Sequence, residues 1–281
     1  MKSGGLWQNN IFKESTIDSP LISVVTVTYN AQLHLSQTLE SIENQTYDHI
    51  ELIIIDGGST DKTLDIIEKY SNFIDYWVSE PDNGIYDAMN KGLKLARGKW
   101  ICFKNADDWF CLDAIENFVR LSKIYESEIF YGNTYSVLKE FPLKVSPFFT
   151  DHKTLGQKPG IDHRSTFFLT DFHKLNPYDL SFKLAADFDV YCRMREKGAR
   201  FVHINSFISY KRFGGASDGI KILKETFAIN NRFIGFFGAC LHLSKNLFSY
   251  YLWRIGNRIL KFALGEQVYF KFKGRNLKLS D

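Results

Sequence analysis

The run PLISVVTVTYN, residues 20–30, decides the fold. Residues 21–27 are almost wholly apolar and β-branched, and the run then breaks into Thr28, Tyr29 and Asn30. A strand with so few polar positions must be covered on both faces, as a parallel strand inside an α/β sheet is. The alternation continues downstream. Residues 33–42 have helical spacing, and residues 51–55 form a second apolar strand ending in Asp56. The Gly57–Asp61 turn leads to a helix continuing to about Tyr70, with Ser59 or Thr60 as its expected cap. A short strand at 76–78, a helix at 85–96 and a strand at 100–103 complete a β-α-β-α-β-α-β order. That order predicts an α/β sheet with helices on both faces.

Beyond Asp108 the pattern loosens. A helix at 112–125, a strand at 129–131, an irregular stretch at 136–160, a strand at 165–169 and a helix from about 185 are expected. The simplest partition is a loose leader (1–19), one domain (20–218) and a helical tail (219–281).

Of the 281 residues, 44% are hydrophobic and 24% charged, which excludes disordered, collagen-like and low-complexity classes. Cys102, Cys111, Cys192 and Cys240 form no CxxC pair, so neither a zinc ribbon nor a disulfide scaffold is signalled, and a reducing compartment fits. The net charge of +3 hides an asymmetry. Residues 219–281 hold 11 Lys and Arg against 3 acidic residues, whereas the rest of the chain is net acidic. An acidic body with a basic, aromatic-rich tail argues against a nucleic-acid binder. It points instead to an anionic membrane surface, which places the protein in the cytoplasm, peripheral on the inner face of the membrane. The first fifteen residues carry no secretory signal, and the longest uncharged run of the tail, residues 233–244, is too short to span a bilayer. On a helical wheel Arg254, Arg258 and Lys261 share one arc. Phe248, Tyr251, Leu252, Ile255, Ile259 and Phe262 lie beside it, the composition of an interfacial helix. A helix packing its apolar side on the domain is the alternative.

Ligands of open α/β sheets collect where strands end. Three predicted strand ends carry polar residues: Thr28-Tyr29-Asn30, Asp56, and Asn105-Ala106-Asp107-Asp108. Turn chemistry explains any one of them alone; three at one sheet edge suggest a site. Adjacent carboxylates at Asp107 and Asp108 repel, and a hard divalent cation such as Mg²⁺ or Mn²⁺ would remove that cost while bridging to a diphosphate. Neither GxGxxG nor GxxxxGK[ST] is present, so phosphate must be held by metal and side chains.

The runs PLISVVTVTYN, ELIIIDGGSTDKT (51–63), SEPDNGIYDAMNKGLKLARGKW (79–100) and NADDW (105–109) resemble family 2 glycosyltransferases of the GT-A fold. The resemblance extends through DHRSTFF (162–168), FKLAADFDVYCRM (182–194) and FGGAS (213–217). It implies a Rossmann-like nucleotide-binding part in a mixed central sheet flanked by helices, with the C-terminal amphipathic tail added. It also implies residue roles. Thr28, Tyr29, Asn30 and Asp56 would line the nucleoside pocket, with Asp56 accepting from the base. Asp82 and Lys91 would flank the donor sugar and diphosphate. Asn105-Ala106-Asp107 stands at the family's DxD metal motif, leaving Asp107 and Asp108 as the metal-linked carboxylates. Asp187 stands at the general base. The Glu that usually precedes it is Ala186 here, so Asp189 competes for the assignment. His163 and Arg164 resemble the acceptor-side His-Gln pair, and Phe213–Ser217 would approach the donor.

The activity so implied is inverting, metal-dependent transfer of one hexosyl or N-acetylhexosaminyl unit from a nucleotide sugar, UDP by family frequency. The acceptor would be a glycan or lipid-linked molecule in bacterial surface-polysaccharide synthesis. The QxxRW signature of processive synthases is absent. A sugar-nucleotide pyrophosphorylase and a catalytically silent nucleotide-sugar-binding protein are the rivals. The first would carry a Gly-rich basic loop where TVTYNAQ stands.

Overall fold

Strand β2 (Ile22–Thr28) is buried along its whole length. Its side chains alternate between two cores: Ile22 and Val24 enter one, Val25 and Val27 the other. β3 (Ile50–Asp56) and β5 (Trp100–Asn105) lie parallel to it on either side and split in the same way. The computed structural model describes residues 1–137, 145–148, 160–212 and 221–264. Over these the remaining strands are β1 (Lys2–Gly4), β4 (Tyr76–Ser79), β6 (Trp109–Phe110), β7 (Ile129–Val137), β8 (Val145–Phe148), β9 (Thr166–Leu169) and β10 (Phe201–Arg212). The sheet order is β1-β4-β3-β2-β5-β9-β7-β10-β6, with β8 paired to β7. β4, β3, β2 and β5 run parallel; β9 is antiparallel to β5 and β7, and β10 is again parallel to β7. The sheet is therefore mixed, with a parallel α/β order in its first half.

Helices α1 (Leu35–Glu43), α2 (Thr63–Lys69) and α4 (Ala114–Ser122) cover the Ile22/Val24 face through Leu35, Leu39, Ile67, Ile115 and Phe118. Helices α3 (Ile85–Leu95) and α6 (Ala186–Glu196) cover the other. α3 buries Tyr86, Met89 and Leu93, spaced as one helical face requires. A Cβ at Gly92 would overlap Val25 Cγ1, so only glycine lets α3 press this closely on β2. A short helix, α5 (Thr170–Lys174), follows β9.

The N-terminal stretch departs from the expected loose leader. β1 pairs antiparallel with β4, Trp7 stacks on Tyr76 at 5.1 Å, and Lys13 Nζ binds Ile50 O and Asp75 Oδ2 at 2.6 and 2.8 Å. The helix after Asp56 takes neither Ser59 nor Thr60 as its cap. Asp61 Oδ1 accepts from Thr63 N at 3.0 Å, while Ser59 and Thr60 bond elsewhere.

α7 (Lys221–Leu264) is the C-terminal helix and is interrupted at Gly235, whose φ of 73° and ψ of 169° are not helical. Before the break Thr226, Ile229 and Asn230 are buried; after it Phe236, Phe237, Leu241, Phe248, Tyr251, Leu252 and Ile255 are exposed. The wheel positions Arg254, Arg258, Ile259, Lys261 and Phe262 have side chains outside the described set, and Phe213–Ser217 lies outside the described residues. Among the described residues no helix is long and apolar enough to cross a membrane.

Candidate active site

A cleft of about 440 Å³ opens at the carboxyl ends of β2 and β5. Its wall includes Thr28, Tyr29, Asn30, Asp82, Asn105, Ala106 and Asp107, seven of the residues expected there. That volume suits a small-molecule ligand. The wall also includes His34, Gly84, Ile85 and Ala88, which sequence reasoning missed. His34 and Ile85 open the two helices that face each other across the strand ends, so only the fold brings them there.

The β2 end is knitted to the loop after β3. Asn30 adopts φ 49°, a left-handed conformation that Asn tolerates better than most residues. Its amide donates to Ser59 Oγ at 2.8 Å, and its Oδ1 accepts from Thr60 N at 2.9 Å. Asp56 is not on the cleft wall. It is fully buried and accepts from Ser59 Oγ (2.5 Å), Ser79 Oγ (2.6 Å), Ser59 N (2.9 Å) and Gly58 N (3.2 Å). Its carboxylate therefore organises the loop from behind. Tyr29, in contrast, is exposed. Asp82 accepts from Gly84 N at 2.8 Å, and its Oδ2 lies 2.6 Å from where a Cβ on Gly57 would stand. Lys91 also stays off the wall. Its ammonium donates to Pro81 O at 3.1 Å and pairs with Glu80 at 2.8 Å, bracing the loop that carries Asp82.

The predicted metal carboxylates separate. Asp107 lines the cleft, whereas Asp108 is 1% exposed and points inward. The cost of burying Asp108 beside Asp107 is met by protein cations, Arg164 at 3.9 Å and Lys104 nearby. Burial still pushes its carboxyl up to about 7. Asp108 accepts from Asn105 Nδ2 at 2.9 Å, while Asn105 Oδ1, equally buried, has no hydrogen-bond partner. Among the described residues no three His, Cys, Asp or Glu side chains converge as a complete metal site. The Asp107 carboxylate and the unpartnered Asn105 Oδ1 are nevertheless hard oxygen donors of the kind Mg²⁺ and Mn²⁺ take, with remaining positions left to substrate oxygens. The donor set fits.

Behind this loop lies a charge cluster that the sequence did not announce. Lys104 is fully buried and donates to Arg164 O and Ser209 Oγ. Burial presses its ammonium down to about 8. Arg164 forks onto Asp162 through Nε (2.7 Å) and Nη2 (3.1 Å). Despite burial, the neighbouring Arg164 guanidinium holds Asp162 well below the usual carboxylate range. A lysine closing the apolar run WICFK was the available signal. His163 is buried among rings, and its Nε2 meets Tyr178 Oη at 2.5 Å. Burial lowers its imidazole to about 3, so it is neutral.

Asp187 and Asp189 are distinguished by environment. Asp189 is fully buried and ion-paired to Arg193 at 2.6 Å and Arg232 at 3.6 Å. Asp187 keeps partial exposure at the start of α6 and accepts from Tyr86 Oη (3.1 Å) and Phe188 N (2.9 Å). Desolvation raises its carboxyl above the usual range. It is not on the cleft wall but is joined to it through Tyr86, next to Ile85.

A family model described as glycosyl transferase family 2 matches residues 23–176. The chain belongs to glycosyl transferase family 2. It is 33% identical over 211 residues to a PGL/p-HBAD biosynthesis glycosyltransferase of Mycobacterium tuberculosis, covering 72% of this chain and 81% of that one. Among solved structures, the mannosyltransferase PcManGT of Pyrobaculum calidifontis, in complex with GDP-Man and Mn²⁺, aligns with a TM-score of 0.61 at 15% identity, over 94% of this chain and 85% of that one. S. aureus TarS 1-349 in complex with UDP-GlcNAc aligns at 0.59 and 18% identity, over 74% and 66%. The fold shared with both is that of GT-A glycosyltransferases. The chain is a glycosyltransferase, and its strand-end cleft lies inside the family 2 region.

Proposed function

We propose that this glycosyltransferase moves one hexosyl or N-acetylhexosaminyl unit, with inversion, from a UDP-sugar to a hydroxyl of a glycan or lipid-linked acceptor in surface-polysaccharide synthesis. The observation carrying the reading is the convergence of Thr28–Asn30, Asp82 and Asn105–Asp107 on one cleft, with partly exposed Asp187 joined to its rim. Relatives' structures with GDP-Man and UDP-GlcNAc support a nucleotide-sugar donor.

The exposed Tyr29 ring and Asn30 would receive the nucleoside, while Asp56 keeps their supporting loop in shape. Asp82 would meet the donor sugar and Lys91 would act through the loop it braces. Asp107 and Asn105 Oδ1 would hold Mn²⁺ or Mg²⁺, which when bound neutralises charge growing on the departing diphosphate. Asp108 fixes the Asn105 amide so that its oxygen stays free for that ligation. Asp187 takes the acceptor proton as the new C1–O bond forms opposite the leaving group, which inverts the anomeric centre. Burial suits it to this task, since a raised carboxyl is a stronger base. We read His163 as structural and Arg164 as the acceptor-side member of that pair. The part of the tail beyond Gly235, with its exposed apolar side chains, would rest on an anionic membrane surface, keeping the enzyme at the cytoplasmic face beside a lipid-linked acceptor.

Release of free nucleoside diphosphate, assayed over a panel of UDP- and GDP-sugars with Mn²⁺ and then with EDTA, tests the reading. Chelation should abolish turnover; undiminished turnover removes the metal. Asp187→Asn should lower transfer by about 10²–10⁴-fold with donor binding intact. A variant that still transfers normally removes the base.

A further inference from the structure

The helix carrying Asp187 begins without a cap of its own. Ala185 and Ala186 have no side chain able to accept from the first amides of α6. Instead, a carboxylate from the tail holds the three residues that lead into the helix. Glu225, in the first turns of α7, accepts from Lys183 N through Oε1 at 3.0 Å. Its Oε2 accepts from Leu184 N at 2.8 Å and Ala185 N at 3.0 Å. Three consecutive amides, those of Lys183, Leu184 and the flanking Ala185, thus converge on one anion just before α6 begins, where charged hydrogen bonds are the strong ones and the helix dipole also favours negative charge. From there the geometry runs two ways. Asp187 follows two residues after Ala185, and Lys183 Nζ reaches Asn83 O at 3.3 Å, beside Asp82 of the cleft. One turn further into α6, Asp189 pairs with Arg232 of α7.

From this geometry we infer that Glu225 is a positioning residue for the catalytic base. It sets the entry of α6 and with it the place of Asp187 relative to Tyr86 and the cleft. The stretch of α7 before Gly235 thus belongs to the active-site scaffold, outside the region matched by the family model. This rests on Asp187 being the base.

The full chain serves for the test, with water as acceptor. The probe is UDP-N-acetylglucosamine or GDP-mannose, whichever the wild-type chain hydrolyses faster with Mn²⁺. Glu225→Ala should lower kcat 10-fold or more, leave KM for the donor within 2-fold, and displace the acidic limb of the pH–rate profile. Glu225→Gln, which keeps one acceptor oxygen, should recover part of kcat, and the neighbouring Lys224→Ala should behave as wild type. Amide hydrogen exchange at residues 183–190 should quicken in Glu225→Ala and remain normal elsewhere. Wild-type kcat in Glu225→Ala overturns the inference. So does a fall in kcat accompanied by equal loss of donor binding and general loss of exchange protection. The base reading fails separately, if Asp187→Asn is active. If Asp187→Asn is inactive while Glu225→Ala is unimpaired, only the positioning role is lost. On the Asp187→Asn background, Glu225→Ala should cause no further loss of turnover.

Discussion

Three cations, Lys104, Arg164 and Lys211, surround the Asp108–Asp162 pair, and Asp162 carries the tightest contacts. Removing its charge leaves guanidinium and ammonium groups without their partner in a poorly solvated place, where breaking an ion pair costs about 3–5 kcal/mol. Arg164 retains some solvent contact and a second anion in Asp108, so Asp162→Asn should cost about 3 kcal/mol, the low end of that range, in urea unfolding. The sign of the pH dependence follows from the depressed carboxyl. Asp162 stabilises fully above the unfolded carboxylate pKa of about 4 and loses that contribution as pH falls toward its lower folded value. Wild-type stability should therefore decline on acidification, with a shallower decline in Asp162→Asn. An equal slope in both proteins would contradict the ion-pair account. At this scale Asp107 was legible as a cleft residue because it follows an apolar strand. The inward turn of Asp108 was not, since adjacent residues of identical chemistry differ only in which way the backbone aims them.

Helix α3 delivers Gly84, Ile85 and Ala88 to the cleft, and its distance from β2 is set by Gly92. Gly92→Ala should destabilise by about 1–3 kcal/mol through overpacking, outweighing a helix-propensity gain of about 1 kcal/mol. Adding Val25→Ala, which vacates the space, should restore part of the loss; strictly additive losses would show that the close approach is not the cause. β2, β3 and β5 were readable because each is a largely apolar run bounded by turn residues. β10 was not. Its burial follows no period of two, because register shifts between His203 and Phe207 and between Phe207 and Ser209 interrupt the alternation. β1, at three residues, and β6, at two, are too short for any periodicity, and pairing partners alone make them strands. The carboxylate that holds the entry to α6 was equally hidden, because it comes from about forty residues downstream.

For the molecule as a whole, the break at Gly235 separates a docked first third of α7 from a longer part that, apart from buried Ala239, presents exposed apolar side chains, Phe237 being 88% exposed. Phe236→Ser with Phe237→Ser should change folding stability by less than about 0.5 kcal/mol each, as surface substitutions do. Co-sedimentation with phosphatidylserine vesicles should fall sharply, and 0.5 M salt should weaken wild-type binding; equal recovery with neutral vesicles would remove the membrane reading. The order of the strands has a different consequence, for synthesis. Every pairing among β1 to β5 closes within residues 2–105, so this first half of the sheet has its partners as soon as that length has left the ribosome. Among the described residues β6 pairs only with β10, and it must wait for about a hundred more residues to be translated. Such distant closures are slow. Nascent chains stalled between these points should hold a formed first half beside an unzipped second one, the interval in which a chaperone has most to shield.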